Sequence, residues 1–468
     1  MKFCTITLGC KVNQYETQAI ERILCEYGHK LAYLGDGCDV CILNTCAVTA
    51  ESVRKSRQTI RRTKKLEPNA LIAVCGCYSQ LEPEEVADLG VDLIGGATDR
   101  HKFALMIAKQ GVRQGDGSSV LGQGDGSSVL LCCQNHSPSV DNTLFAKSSP
   151  AGQMNRPPVL FEELPPGNTA SRTRALLKIQ DGCNNFCSYC IVPYIRGRSR
   201  SLPLNKVTEY AKLLEDQGYK EIVITGIEVS SYGTDLLGKT DEPSPCPAAL
   251  LTAIHIIQSA APNTRLRLGS LNPSLMTSDF CRELSKIPNL CNHFHLSLQS
   301  GCDETLHRMG RKYNTAQVLE STKSMKKYFT DCSITADLIT GFPGETDDEF
   351  KQTLSFIKKA AFAGMHIFPY SLRPGTKAAK MTSQVDKSVR KERARIAAEI
   401  AAEMASEFKE MQIGKIVEIL FEQDKNGYCI GHSTNYLEIS VKEKVKRNSL
   451  HNVKIISMQN GRLLGVVI

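Results

Sequence analysis

The stretch Asp181-Gly182-Cys183-Asn184-Asn185-Phe186-Cys187-Ser188-Tyr189-Cys190 sets three thiols at C-x3-C-x2-C spacing, directly after the apolar run Ala175-Leu176-Leu177-Lys178-Ile179. A strand that feeds a thiol-bearing loop places the thiols at its carboxyl end, where barrels of alternating strands and helices gather their sites. Three thiolates hold three irons of a [4Fe–4S] cluster and leave the fourth open to bind and reduce a small molecule. Structural zinc closes with four ligands, usually in two C-x2-C-type pairs, and no second pair follows nearby. The spacing therefore points to a reactive iron–sulfur site.

Downstream of these thiols the chain repeats a strand–helix unit. Counting the strand before the loop, the candidate strands are 176–180, 221–225, 265–269, 293–298, 334–340 and 365–370. Six such units predict an open, partial (β/α)6 TIM-type barrel with its site at the carboxyl ends of the strands. Upstream, the segments 3–8, 39–44 and 70–74 read as short buried strands, separated by helical stretches 14–27 and 51–65. That βαβα alternation predicts an open parallel sheet. Each of its strands is followed within a few residues by a cysteine: Cys10, Cys46 and Cys77. The fold would bring these three to one edge, enough for a second cluster with one open iron. Spacing alone leaves a second reading open, because Cys4, Cys25, Cys38, Cys41 and Cys75 crowd the same region and cysteine is a common core residue. Cys4 and Cys41 fall inside strands, where burial is the better reading.

Composition bounds the setting. A chain of 468 residues exceeds one ordinary core. Its 19 cysteines follow no small secreted framework, and no apolar run approaches a membrane span. The N-terminus is not a signal peptide, carrying Lys2, Lys11 and Glu16, so a reducing cytoplasmic location is expected. The net charge of +8 permits a polyanionic partner.

The C-x3-C-x2-C loop resembles that of the radical S-adenosylmethionine (SAM) superfamily. Residues 8–17 (Leu-Gly-Cys-Lys-Val-Asn-Gln-Tyr-Glu-Thr), 44–49 (Asn-Thr-Cys-Ala-Val-Thr) and 76–80 (Gly-Cys-Tyr-Ser-Gln) resemble the N-terminal domain of the methylthiotransferases. The likeness continues through Val192-Pro193-Tyr194 and Arg196-Gly197-Arg198-Ser199-Arg200-Ser201. That family adds a methylthio group to C2 of a tRNA adenosine or to a ribosomal-protein aspartate. The residues after Cys10 resemble the branch acting on N6-threonylcarbamoyladenosine beside the anticodon. The resemblance implies two [4Fe–4S] clusters, an auxiliary one on Cys10, Cys46 and Cys77 and a SAM-binding one on Cys183, Cys187 and Cys190. It also implies SAM as radical source and methyl donor, a tRNA anticodon loop as substrate, an electron donor of flavodoxin or ferredoxin type and a sulfur donor. No general base is required of the protein. Alternatives are an isopentenyladenosine tRNA or a ribosomal-protein aspartate as substrate. A different class is a non-catalytic, zinc-containing RNA-binding protein, against which the six strand-end cysteines argue.

SAM needs partners for its ammonium, carboxylate, ribose hydroxyls and adenine. Gly226 and Glu228 follow the second barrel strand, Ser297 and Gln299 close the fourth, and Asp337 lies in the fifth. Glu228 is the candidate acceptor for the ammonium, Gln299 or Asp337 for hydroxyls, and Tyr189 offers its ring or backbone to the adenine. Gly341-Phe342-Pro343-Gly344-Glu345 reads equally as a tight turn.

Residues 385–411 read as a connecting helix. Five short strands at 416–421, 427–432, 436–441, 453–458 and 463–468 then predict a small all-β barrel. In the family this is the OB-like, RNA-binding TRAM domain. From Lys415 to Arg462 eight basic and five acidic residues give it +3, which an ordinary solvated surface would also show. A basic run at Arg54, Lys55, Arg57, Arg61, Arg62, Lys64 and Lys65 lies on a predicted helix beside Cys46. Between the two α/β parts, Gln114 to Leu121 recurs as Gln123 to Leu130 in a Ser- and Pro-rich stretch that also holds Cys132-Cys133. It reads as a linker or insertion. The expected order is 1–110 (auxiliary cluster), 111–167 (linker or insertion), 168–384 (radical SAM), 385–411 (helix) and 412–468 (TRAM).

Overall fold

The computed structural model describes residues 1–113, 129–131, 160–167, 172–236 and 245–468. The chain forms two compact units. The first comprises 1–169 with the excursions 190–198 and 371–376, and the second comprises the rest.

The first unit is a sheet of β1 (Lys2–Thr7), β2 (Lys30–Leu31), β3 (Val40–Thr45), β4 (Leu71–Gly76), β5 (Leu93–Gly95) and β6 (Val129–Leu131), in the order β2-β1-β3-β4-β5-β6. All neighbours are parallel except β5 and β6. Every residue of β3 is buried, as a strand covered on both faces requires. Helices α1 (Lys11–Glu26) and α2 (Ala50–Leu66) make the first two crossovers. Thr49 caps α2, its side chain accepting from the Ser52 amide. Residues inside the expected 111–167 linker contribute to this unit: a helix runs from Arg100 to Arg113, and β6 extends the sheet. The first repeat copy and Cys132-Cys133 lie outside the described residues.

The second unit holds the predicted barrel strands: β7 (Arg174–Lys178), the short pair β8 (Gln180–Asp181) and β9 (Arg200–Ser201), then β10 (Glu221–Thr225), β11 (Arg265–Leu268), β12 (Ser270–Leu271), β13 (His293–Gln299), β14 (Ser333–Thr340) and β15 (Gly364–Pro369). One expected strand, 265–269, is broken at Gly269. Its first half pairs with β10 and its continuation with β13, so the staves form sheets of three and four. The Gly269 amide still reaches the Ile224 carbonyl at 2.8 Å.

A helix from Lys387 to Glu410 leads into a closed barrel of β16 (Ile416–Lys425), β17 (Tyr428–Ser433), β18 (Glu438–Val441), β19 (Leu450–Gln459) and β20 (Arg462–Val467). Its core is Ile419, Phe421, Ile439, Val441, Val453 and Ile455. This small barrel docks on the amino-terminal ends of the central staves. Glu221, the first residue of β10, accepts from Arg265 Nη2 at 2.5 Å and Arg267 Nε at 2.7 Å. Arg267 donates onward to the carbonyls of Thr434 (2.9 Å) and Ser433 (3.1 Å). Tyr436 stacks on His293, with ring centroids 4.8 Å apart. Despite complete burial, the two guanidinium groups hold the Glu221 carboxyl down to about 2. Among the described residues no helix is long and apolar enough to cross a membrane.

Candidate iron–sulfur and SAM-binding residues

In the first unit, the order β2-β1-β3-β4-β5 reverses direction between β1 and β3. Ligands of such sheets bind beyond the carboxyl ends of the strands at that reversal. Cys10 follows β1 as the N-cap residue of α1, and Cys46 follows β3. Cys77 follows β4 as the first residue of a short helix. Gly9 has φ +103°, and a Cβ there would stand 2.9 Å from the Cys46 Cβ, so glycine lets the Cys10 turn close onto Cys46. Burial pushes the Cys77 thiol up to about 11, with Cys10 and Cys46 adding repulsion and Arg196 opposing. Three thiolates gathered at one edge would repel one another and need a cation, which is the charge a cluster iron supplies. The donor set fits the expected auxiliary cluster.

The cation at this edge is Arg196, which the sequence did not single out. It donates to Glu16 Oε1 at 2.8 Å and Asn13 Oδ1 at 2.7 Å. Arg100 Nη2 reaches the same Glu16 at 3.1 Å. Glu16 and both arginines are buried. Arg373 is a second cation near Cys46, within the 371–376 excursion. The basic helix divides: Arg54 pairs with Glu51, Lys64 bonds the Leu89 carbonyl at 3.0 Å, and Arg61 and Arg62 are exposed.

In the second unit, the loop after β8 carries Cys183 and Cys187, and Cys190 opens the 190–198 excursion of the first unit. Ser188 fixes the loop with all its polar groups. Its amide donates to the Met309 carbonyl (2.9 Å), its carbonyl accepts from the Ala378 amide (2.7 Å), and its hydroxyl donates to the Arg308 carbonyl (2.8 Å). Phe186 has φ +46°, a left-handed turn in a non-glycine residue at the thiol loop. Arg311 donates to Cys187 Sγ at 3.3 Å and to Ser297 Oγ at 2.9 Å. Tyr313 braces it, its hydroxyl accepting from Arg311 Nε at 2.8 Å.

The expected SAM contacts fall into separate neighbourhoods. Glu228 is buried, and its pKa is raised by burial while Arg311 opposes. It accepts from Asn185 Nδ2, on the thiol loop, at 3.1 Å. Its amide donates to Gln180 Oε1 at 2.8 Å, and a Cβ on the neighbouring Gly226 would meet that same atom at 2.8 Å. Arg311 thus joins Cys187, Ser297 and the field of Glu228. Gln299 ends β13 at an irregularity in the β13–β14 register, with φ +69°. Asp337 lies in β14, where His295 Nε2 (3.1 Å) and His366 Nδ1 (3.2 Å) flank its carboxylate. Burial would raise the Asp337 carboxyl, but the two histidines hold it at about 2. The Tyr189 ring packs edge-on against Phe342, centroids 6.3 Å apart. In the turn 341–345, Glu345 accepts from the Gly341 amide at 2.8 Å and from Arg393 Nη1 at 2.7 Å, so this carboxylate serves the turn.

The two thiol sets lie within the segments that two family models match. Residues 177–357 match the model of the Radical SAM superfamily, and residues 2–96 match that of the Uncharacterized protein family UPF0004. The threonylcarbamoyladenosine tRNA methylthiotransferase MtaB of Bacillus subtilis is 35% identical over 93% of this chain and 89% of its own. Its namesake from Aquifex aeolicus is 32% identical, covering 94% and 96%. The tRNA-2-methylthio-N(6)-dimethylallyladenosine synthase of Pelotomaculum thermopropionicum is 32% identical, covering 92% and 90%. Among solved structures, the radical S-adenosylmethionine methyltransferase TsrM of Kitasatospora setae, with cobalamin and a [4Fe-4S] cluster bound, has a TM-score of 0.53 at 14% identity, covering 92% of this chain and 80% of that one. That likeness is one of fold. The chain belongs to the radical SAM methylthiotransferase family, in its threonylcarbamoyladenosine tRNA branch.

Proposed function

We propose that this chain converts N6-threonylcarbamoyladenosine, next to the tRNA anticodon, to its 2-methylthio derivative, with a second SAM as methyl donor. The observation that carries the reading is the gathering of Cys10, Cys46 and Cys77 at the strand reversal of one sheet, in a chain that also bears the C-x3-C-x2-C loop. A SAM-cleaving barrel needs only the second set.

When bound, the two clusters and SAM supply the one-electron, sulfur and methyl chemistry. The chain's residues hold and orient these groups. Cys183, Cys187 and Cys190 ligate the SAM-binding cluster, and Arg311 sets a positive charge on the Cys187 sulfur. Glu228 receives the SAM ammonium, with Ser297, Gln299 and Asp337 as further polar contacts and Gly226 and the Tyr189 backbone flanking the adenine. Arg196 offsets the charge of the auxiliary thiolates. The 1–110, 168–384 and 412–468 segments serve as auxiliary-cluster, radical SAM and RNA-binding domains. The linker at 111–167 and the helix at 385–411 join them. The substrate adenine is presented unstacked, as RNA readers generally arrange. An electron donor of flavodoxin or ferredoxin type, a sulfur donor and a cytoplasmic setting complete the reading.

The test is nucleoside mass spectrometry of bulk tRNA from cells lacking this gene and then carrying it again. Loss and return of 2-methylthio-N6-threonylcarbamoyladenosine supports the reading. A change in 2-methylthio-N6-isopentenyladenosine instead would move the substrate to that branch. No change in any tRNA methylthio nucleoside would reject tRNA as the substrate.

A further inference from the structure

Cys4, Cys38 and Cys41 form a third thiol set in the first unit. Cys4 and Cys41 are register partners on the parallel strands β1 and β3, so both side chains leave the same face. Cys4 Sγ lies 3.2 Å from Cys41 Sγ. Cys38, in the loop entering β3, closes the group, and all three Sγ atoms lie within 4.8 Å of one another. The three residues are buried. Their neighbours include Ile72, Ile60 and Val53. The set sits near the amino-terminal edge of the sheet, whereas the auxiliary thiols occupy the carboxyl edge. Cys41 and Cys46 are five residues apart on one extended segment, about 16 Å.

A carboxylate adjoins the set on its Cys38 side. Glu67 is buried, and its carboxylate accepts from the amides of Gly35 (2.7 Å) and Cys38 (3.1 Å). Among the described residues no basic side chain forms an ion pair with it. Three thiols and a carboxylate gathered in the core form a donor set of the kind zinc takes.

We propose that Cys4, Cys38, Cys41 and Glu67 bind one structural Zn²⁺ ion, separate from both iron–sulfur clusters. Tetrahedral zinc with Zn–S bonds near 2.3 Å sets its sulfurs about 3.8 Å apart, within the spread seen here. Binding converts three thiols to thiolates and releases three protons. The way in is the exposed turn 33–37, which turns through Gly35 (φ +102°) and Gly37 (φ +72°). The ion would tie that turn and the start of β3 to β1.

The test is elemental analysis of the full-length protein, purified without oxygen with both clusters filled. The wild type is expected to carry about one zinc per chain beside its cluster iron. Cys4→Ser and Cys38→Ser should each drop zinc to background with iron unchanged. The loop variant Cys38→Ser keeps the question open to measurement if the strand variant does not fold. X-ray absorption at the zinc edge should show a sulfur-dominated shell. Zinc absent from zinc-supplemented wild type, zinc retained in Cys38→Ser, or copper in its place would overturn the proposal.

Discussion

Arg311 donates to the Cys187 sulfur at 3.3 Å while its other nitrogens are held by Ser297 and Tyr313, so a cation is fixed against the middle thiol of the C-x3-C-x2-C loop. A hydrogen bond from a charged donor to a cluster sulfur favours the more negative state of the cluster. Removing it from this half-buried position costs about 1.5–3 kcal/mol, or roughly 10- to 150-fold. Arg311→Gln should therefore slow 5′-deoxyadenosine release from SAM by that factor and shift the cluster's reduction potential downward. Cluster voltammetry and a SAM-cleavage assay check both. An unchanged potential would reduce Arg311 to a packing residue.

The two cysteine sets should separate by product. Cys46→Ala is expected to lower iron content and abolish the methylthio nucleoside while still cleaving SAM. Cys187→Ala should abolish both reactions. Iron analysis with nucleoside and 5′-deoxyadenosine quantification reads the split, and equal loss of SAM cleavage in both variants would deny the sets distinct roles.

Glu221 ties the small barrel to the central staves through Arg265 and Arg267. Glu221→Gln leaves two buried cations under-compensated, a loss of about 3–5 kcal/mol. The native carboxyl sits at about 2, below its ordinary value of 4.5. Its contribution is therefore complete above pH 4.5 and is lost as pH falls from there toward 2. Calorimetry should show a lowered Tm for the variant near neutrality, with the gap to wild type narrowing through that acid window. A constant gap would place the effect elsewhere.

Arg61 and Arg62 are exposed on α2, whereas Lys64 is engaged by backbone carbonyls. Phosphate contact by the exposed pair predicts that Arg61→Glu with Arg62→Glu weakens tRNA binding and flattens its salt dependence by about 1–2 in log–log slope. Binding titrations over a range of salt decide it. An unchanged slope makes the pair a solvated face.

The C-x3-C-x2-C loop was readable because its spacing is local and few chemistries use it, whereas Cys10, Cys46 and Cys77 could be grouped only through the order of the strands they follow. The α/β alternation, the open barrel and the closing β-barrel were legible for the same reason, since periods and turn residues are short-range signals. What could not be read depends on pairing across the chain. Arg196 meets Glu16 across 180 residues, and Arg311 meets Cys187 across 124. Cys4 and Cys41 were readable as buried strand residues, but only the β1–β3 register makes them neighbours. The break at Gly269 was equally hidden, because 265–269 reads as one strand until its two halves take different partners. Tyr189 lies on the thiol loop and Asp337 in β14, yet the partners of their side chains, Phe342 and the two histidines, come from other elements.

The fastening of the small barrel has a mechanical consequence. Anchored through Glu221, Arg267 and Tyr436 at one end of the staves, it stands about one strand length, some 15 Å, behind the end that carries Cys183 and Cys187. A flexible tether would have to lose configurational freedom each time an RNA was gripped. Here that cost was met once, when the chain folded. The barrel is built like a jig: an RNA held on it would sit at a set offset from the thiol loop, and the reach between the two would be a dimension of the protein.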